Sequence, residues 1–185
     1  VERMSQLLRE FSAGVDGLEL HLVEPEQPAD ARIITPKMLK AGEQFLPIWT
    51  DKFLVAMPHG HPLALKSSIQ LHDFNAIALI KRTPCEAWSQ LYPELIQHGI
   101  QPDIRADIQT IEYALGLVSA GVGIALVPNF DVLYERQDVV LRPLADIKLQ
   151  RTIGLAYPHA KVGCSPALDW LREVCRQRAS VRVTS

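Results

Sequence analysis

Thr110-Ile111-Glu112-Tyr113-Ala114-Leu115-Gly116-Leu117-Val118-Ser119-Ala120-Gly121-Val122-Gly123-Ile124-Ala125-Leu126-Val127-Pro128 changes its hydrophobic period halfway along. Ile111, Ala114, Leu115 and Val118 recur at helical spacing, with Thr110 as a capping hydroxyl and Glu112 in the first turn. After Gly121 the run Gly123–Pro128 is wholly apolar and ends on proline, as expected of a strand covered on both faces. The same unit precedes it: Ile77–Ile80 is a buried strand, and Thr83-Pro84-Cys85-Glu86 places a hydroxyl, a proline and a carboxylate as at a helix start. That helix is predicted from about Pro84 to His98, closed by Gly99, with Asp103–Ala106 as the next strand. Strand, helix, strand repeated in this way predicts an α/β fold with a parallel sheet and helices outside it.

Working outward, Lys52–Pro58 is another continuous apolar strand, and His59–Ala64 a turn into a short helical piece with Leu71 and Phe74 packed beneath it. Nearer the start, Met4, Leu7, Leu8 and Phe11 have helical spacing from the first residues, as though the chain begins inside an element. Gly14 and Gly17 stop that helix. Leu18–Glu24 alternates apolar and polar, predicting a half-buried strand, and Ala31–Thr35 predicts a second one after the polar stretch Pro25–Asp30. Towards the end, Val139–Leu144 and Thr152–Tyr157 are strands. Ser165-Pro166 opens a last helix with Leu168, Leu171, Val174 and Cys175 on one face. Its arginines, Arg172, Arg176 and Arg178, with Arg182 beyond, are too few and too free of aromatics for a nucleic-acid stripe and predict a solvated face. The tail after Ser180 is expected to be loose.

The chain's 185 residues, 48% hydrophobic and 22% charged, suffice for a real core and exclude disorder and disulfide-dense scaffolds. Nineteen Lys plus Arg against 21 Asp plus Glu give a net charge of -2, which offers no broad surface for nucleic acid or anionic membrane. With no apolar run of roughly 20 residues and no signal peptide, a cytoplasmic protein without membrane contact is expected. Cys85, Cys164 and Cys175 are odd in number and without metal-like spacing, so reduced thiols are expected.

Catalytic and cofactor motifs do not emerge. Gly121-Val122-Gly123 lacks a third glycine and precedes a strand, the wrong context for a dinucleotide fingerprint, and no Gly-x-Ser-x-Gly occurs. His59 and His61 without a neighbouring carboxylate or cysteine are a poor metal set, and a solvated turn accounts for them. Neither metal nor cofactor is expected. Cys85, at a predicted helix start where amides would lower a thiol pKa, is the sharpest reactive candidate, although a small buried cysteine is the commoner use. Lys81 and Arg82 immediately before that start bring cations and amides to one spot, which suits a small anion.

Particular strings resemble a known family. Phe53-Leu54-Val55-Ala56-Met57-Pro58-His59-Gly60-His61-Pro62-Leu63-Ala64 resembles the segment by which LysR-type transcriptional regulators pass between the two lobes of their effector-binding domain. Leu115–Pro128 is similar to the family's second-lobe helix and strand, and Val140–Leu144 and Ser165-Pro166 fall where its return strand and final helix lie. The resemblance implies two Rossmann-like lobes with a hinge, periplasmic-binding-protein (type II)-like. Lobe I would be residues 1–58, lacking its opening strand, and 147–185, and lobe II residues 59–146. It implies a regulator and not an enzyme, with a small metabolite held between the lobes, for which an anion is the kind that Lys81 and Arg82 would suit. Arg82, Thr83, Pro84, Cys85 and Glu86 would face that effector, joined by Thr110, Val127, Pro128 and Thr35. It further implies a homodimer or homotetramer, and promoter DNA engaged only through an N-terminal winged helix-turn-helix domain that these residues lack. The family's usual helix and turn between Glu24 and Ala31 do not fit in six residues, which leaves a reduced lobe or missing residues as explanations. A stand-alone solute-binding module and a redox sensor centred on Cys85 are the competing readings.

Overall fold

The computed structural model describes residues 2–24 and 27–180. The chain divides into two compact units: residues up to Thr50 together with those from Thr152 onward, and Asp51–Arg151. It therefore passes twice from one to the other, inside two long strands, β2 (Glu43–Pro58) and β7 (Gln150–Pro158).

The second unit contains β3 (Ala78–Arg82), α2 (Glu86–Gln97), β4 (Asp103–Ile108), α3 (Ile111–Ser119), β5 (Ile124–Pro128) and β6 (Val139–Pro143), with the later half of β2. Side chains alternate across a strand, and the two faces of this sheet are covered by different helices. Phe53, Val55 and Met57 of β2, Leu79 of β3 and Ile124 and Leu126 of β5 pack with Ala87, Leu91 and Leu95 of α2. Leu54 and Ala56, Ile80, and Ala125 and Val127 pack with Ala114, Leu115 and Val118 of α3. Continuous apolar runs are the sequence consequence of this double cover. Leu71 and Phe74 are buried in the α2-side core, with Leu63 and Ala64 against it.

The sheet is mixed, which corrects the expectation of parallel strands throughout. β3 is parallel to β4 and β5, whereas β2 is antiparallel to both β5 and β6. Parallel neighbours need a long crossover, which α2 and α3 provide; the link from β2 to β3 holds only two one-turn 3-10 pieces, Pro62–Leu65 and Leu71–Phe74. Gly123, just before β5, lies against the backbone of β3: a Cβ there would lie 2.6 Å from the Ala78 carbonyl oxygen.

In the first unit, α1 (Glu2–Ala13) and α4 (Pro166–Ser180) join β1 (Arg32–Ile34), β7 and the first half of β2. β1 is antiparallel to β7, with Arg32 opposite Ala156. Leu7, Ile48, Leu155, Tyr157, Leu168, Val174 and Cys175 form the core. The Trp170 indole N–H donates to the Phe11 carbonyl (3.1 Å), tying α4 to the end of α1.

Two expectations fail here. Leu18–Glu24 forms no strand, and Leu22 is 80% exposed; no ladder partner lies beside it among the described residues, and alternation without a partner does not make a strand. The α4 arginines are not simply solvated. Arg172 sits over the Tyr157 ring (4.8 Å) and donates to Asp169 (2.8 Å), and Arg178 donates to Glu10 of α1 (2.9 Å), because a long apolar stem lets arginine cover the core while its head finds a carboxylate. Arg182 and the remaining tail lie outside the described residues, as does Pro25. No helix among the described residues is long and apolar enough to cross a membrane.

Candidate functional site

Because β3, β4 and β5 are parallel, their C-terminal ends share one edge of the second unit, and the starts of α2 and α3 follow directly on two of them. Such edges are where open α/β sheets hold ligands. Arg82 is the ladder partner of Ile108, two residues before Thr110, so the two helix starts are neighbours in space.

The start of α2 departs from the capping pattern predicted for it. Thr83 does not cap the helix, and the helix does not begin at Pro84. The Thr83 N–H donates to the Ile108 carbonyl (2.8 Å), continuing the β3–β4 ladder by one residue, and the Thr83–Pro84 bond is cis. The N-cap is Cys85, whose side chain makes no capping bond, and Glu86 is in the first turn. A thiol is a weak acceptor, and among the described residues no side chain caps the first amides of α2. At α3, by contrast, Thr110 caps as predicted, its hydroxyl accepting from the Tyr113 N–H (3.2 Å).

The two cations before α2 have separate tasks. Lys81 donates to Asp107 (2.8 Å), its partner across β3–β4. That bond, with a second from the Thr83 hydroxyl, holds the Asp107 carboxyl below the usual carboxylate range. Arg82 turns along its own chain: Nη1 donates to the Pro84 carbonyl (2.9 Å) and Nη2 to Cys85 Sγ (3.3 Å), while Nε is buried without a partner. Glu86 lies 3.9 Å from the Arg151 guanidinium, which also donates to Asp51 (3.1 Å) and stands over the Phe53 ring.

The structure thus brings together Arg82, Thr83, Pro84, Cys85, Glu86 and Thr110. Thr83, Pro84 and Thr110 are exposed; Arg82, Cys85 and Glu86 are half-buried. Val127 and Pro128 are buried opposite Leu54 and Phe53, so as side chains they belong to the core beneath this edge. Thr35 belongs to the first unit, buried just before a 3-10 turn at Pro36–Met38.

Sequence reasoning missed three participants. Asp51 is 2% exposed and paired with Arg151, a contact across a hundred residues that no local spacing signals. Asn129, next after β5, has its N–H on the Lys52 carbonyl (2.7 Å) and a buried, unpartnered side-chain oxygen. Among the described residues no three His, Cys, Asp or Glu side chains gather as a metal site. All three cysteines are free thiols. The edge thus carries the first amides of α2, the Arg82 guanidinium and the Thr110 hydroxyl, beside the carboxylates of Glu86 and Asp107, which are paired with Arg151 and Lys81.

Comparison with known proteins places this architecture. Residues 2–180 match the family described as LysR substrate binding domain. The HTH-type transcriptional regulator AlsR of Bacillus subtilis (strain 168) is 33% identical over 132 residues, covering 69% of this chain and 43% of AlsR. The transcriptional activator protein LysR of Escherichia coli (strain K12) is 25% identical over 167 residues, covering 84% of this chain and 53% of that protein. The chain spans less than half the length of AlsR and of the B. subtilis regulator YybE, of which it covers 39%. Among solved structures, the effector binding domain of QuiR in complex with shikimate superposes with a TM-score of 0.70 at 24% identity, over 83% of this chain and 73% of that one. The Synechocystis PCC6803 CcmR regulatory domain in complex with 2-PG gives 0.77 at 21% identity, over 95% and 92%. The fold is the α/β, type II periplasmic-binding-protein-like fold of such regulatory domains. With the match running over nearly every described residue, the chain belongs to the LysR substrate binding domain family.

Proposed function

We propose that this chain is the effector-sensing part of a cytoplasmic LysR-type regulator, not an enzyme, and that its effector is a small anionic metabolite bound at the strand-end edge formed by Arg82–Glu86 and Thr110. In the whole protein, effector occupancy would control promoter binding by an N-terminal winged helix-turn-helix domain, within a homodimer or homotetramer. The observation that carries the reading is the start of α2: its amides have no side-chain cap, and they sit beside Arg82 at the C-terminal end of parallel strands. An anion there completes the missing cap and meets the positive end of the helix dipole. The relatives are transcriptional regulators, and neighbours of the same fold were solved with shikimate and with 2-PG bound, which supports a small-molecule effector over a redox role for Cys85.

A thermal-shift screen of small anionic metabolites against the 185-residue chain tests this. A ligand it finds should bind about tenfold more weakly to Arg82→Gln, the cost of one charge-assisted hydrogen bond. Cys85→Ser, which supplies the absent cap, should raise the stability of the free protein by about 1 kcal/mol and weaken the same ligand. A metabolite bound with unchanged affinity by both variants refutes the placement, and rapid selective oxidation of Cys85 would favour the redox alternative.

A further inference from the structure

A groove of about 510 Å³ on the second unit is lined by residues that the strand-end edge does not use, among them His59, Leu65, Tyr134, Arg136, Val140 and Arg142. Its rim is apolar and held out to water: Leu65 is 94% exposed and Tyr134 61%, each carried by a one-turn 3-10 piece, Pro62–Leu65 and Asp131–Glu135. Its charge is unusual. Arg142 of β6 is fixed by three bonds, Nε to the Lys66 carbonyl (2.6 Å), Nη2 to the Ala64 carbonyl (2.7 Å) and Nη1 to the Leu141 carbonyl (2.9 Å). All three acceptors are neutral. Guanidinium has five N–H donors, so two remain, and among the described residues no carboxylate pairs with Arg142. The other arginine of the groove, Arg136, is neutralised by Asp138.

A rigid, half-buried cation with donors to spare, flanked by large apolar side chains that nothing covers, fits a ligand carrying both complements. A carboxylate matches the guanidinium in charge and fork geometry, and an apolar body covers Leu65 and Tyr134. The volume is that of small-molecule sites. The geometry points to a second binding site in this groove, separate from the strand-end edge, for a small organic carboxylate with an apolar body.

Amide NMR of the isotope-labelled 185-residue chain, titrated to about 20 mM with benzoate and with its neutral isostere benzamide, tests this at the weak affinities expected of small probes. Benzoate should shift the amides of Leu65, Leu141 and Arg142, with benzamide about tenfold weaker for want of the charge. Leu65→Ser and Tyr134→Ser remove only exposed side chains, so the fold is retained, and each should weaken benzoate about threefold or more by loss of apolar contact. Arg142→Met should abolish the preference for benzoate over benzamide; should it loosen the Ala64–Lys66 segment, the two rim variants still decide. Equal binding of benzamide, unchanged affinity in both rim variants, or no shift at the groove overturns the proposal. Benzoate shifts confined to Arg82–Glu86 and Thr110 also overturn it, while supporting the effector site proposed above.

Discussion

Replacing Gly123 by alanine should destabilise the protein, whereas the same change at Gly116 should stabilise it. A Cβ built on Gly123 would stand 2.6 Å from the Ala78 oxygen, 2.8 Å from the Ala78 carbonyl carbon and 3.3 Å from the Leu79 nitrogen. All three are backbone atoms of β3, which is held by β5 on one side and β4 on the other, so no side chain can swing away. Relief to an ordinary contact requires the start of β5 to retreat by about 0.5 Å or more, breaking the close packing of Ile124 against Leu79; overpacking of this kind costs about 1–3 kcal/mol. Gly116 lies inside α3, exposed, with nothing within 4 Å of its would-be Cβ, so alanine there should gain about 0.5–1 kcal/mol through helix propensity. For a chain of this length those figures correspond to a melting temperature lowered by about 2–12 °C and raised by about 1–4 °C respectively. Circular dichroism during heating and urea titration measures both. A Gly123→Ala variant as stable as the parent would refute the close approach of β3 and β5, and a destabilised Gly116→Ala would refute the exposure of that helical face.

The remaining predictions concern ionisable groups. Glu43 accepts from Arg32 Nε (3.0 Å) and from the Lys40 N–H (2.8 Å), and chiefly the Arg32 bond holds its carboxyl below the ordinary 4.5. A depressed folded pKa means stability that is present above the unfolded value and lost as pH falls through the folded one, so Glu43→Gln should cost about 1–2 kcal/mol near neutral pH and less at about pH 3. Urea midpoints at the two pH values measure the gap; a gap independent of pH would contradict the pairing. Burial pushes the Cys175 thiol up to about 12, while Cys164 is exposed. Iodoacetamide near about pH 8 should therefore label Cys164 in the native protein and Cys175 only after denaturation, and equal native rates would overturn the burial of α4 against its core.

What the sequence made legible was whatever depends on local period. The alternation that sends Val55 to α2 and Leu54 to α3 is hidden in a run where every residue is apolar, yet the run itself announces that both faces are covered. The α3 cap was legible because Thr110, Glu112 and the apolar stripe lie within a few residues of one another. Leu18–Glu24 had the period of a strand without a partner, and pairing is a non-local property that a period cannot supply. The antiparallel setting of β2 was likewise invisible, since the direction in which it pairs with β5, far along the chain, is not written in the period of either run.

At the candidate site the same division explains which residue roles were misread. Thr83-Pro84-Cys85-Glu86 has the composition of a capped helix start, and local chemistry alone would make Thr83 the cap. The ladder prevents this: with Lys81 opposite Asp107 and Arg82 opposite Ile108, the next N–H is in register with the Ile108 carbonyl, and Thr83 is kept in the strand. One register then fixes three outcomes. Lys81 is committed to Asp107, the Thr83 hydroxyl points to the same carboxylate, and Cys85 inherits the cap position without an acceptor strong enough to fill it. A stability-optimised sequence would put serine or aspartate there; the thiol instead packs against the α2-side core, and on the function proposed above an anion at the edge where the parallel strands end supplies what the cap lacks.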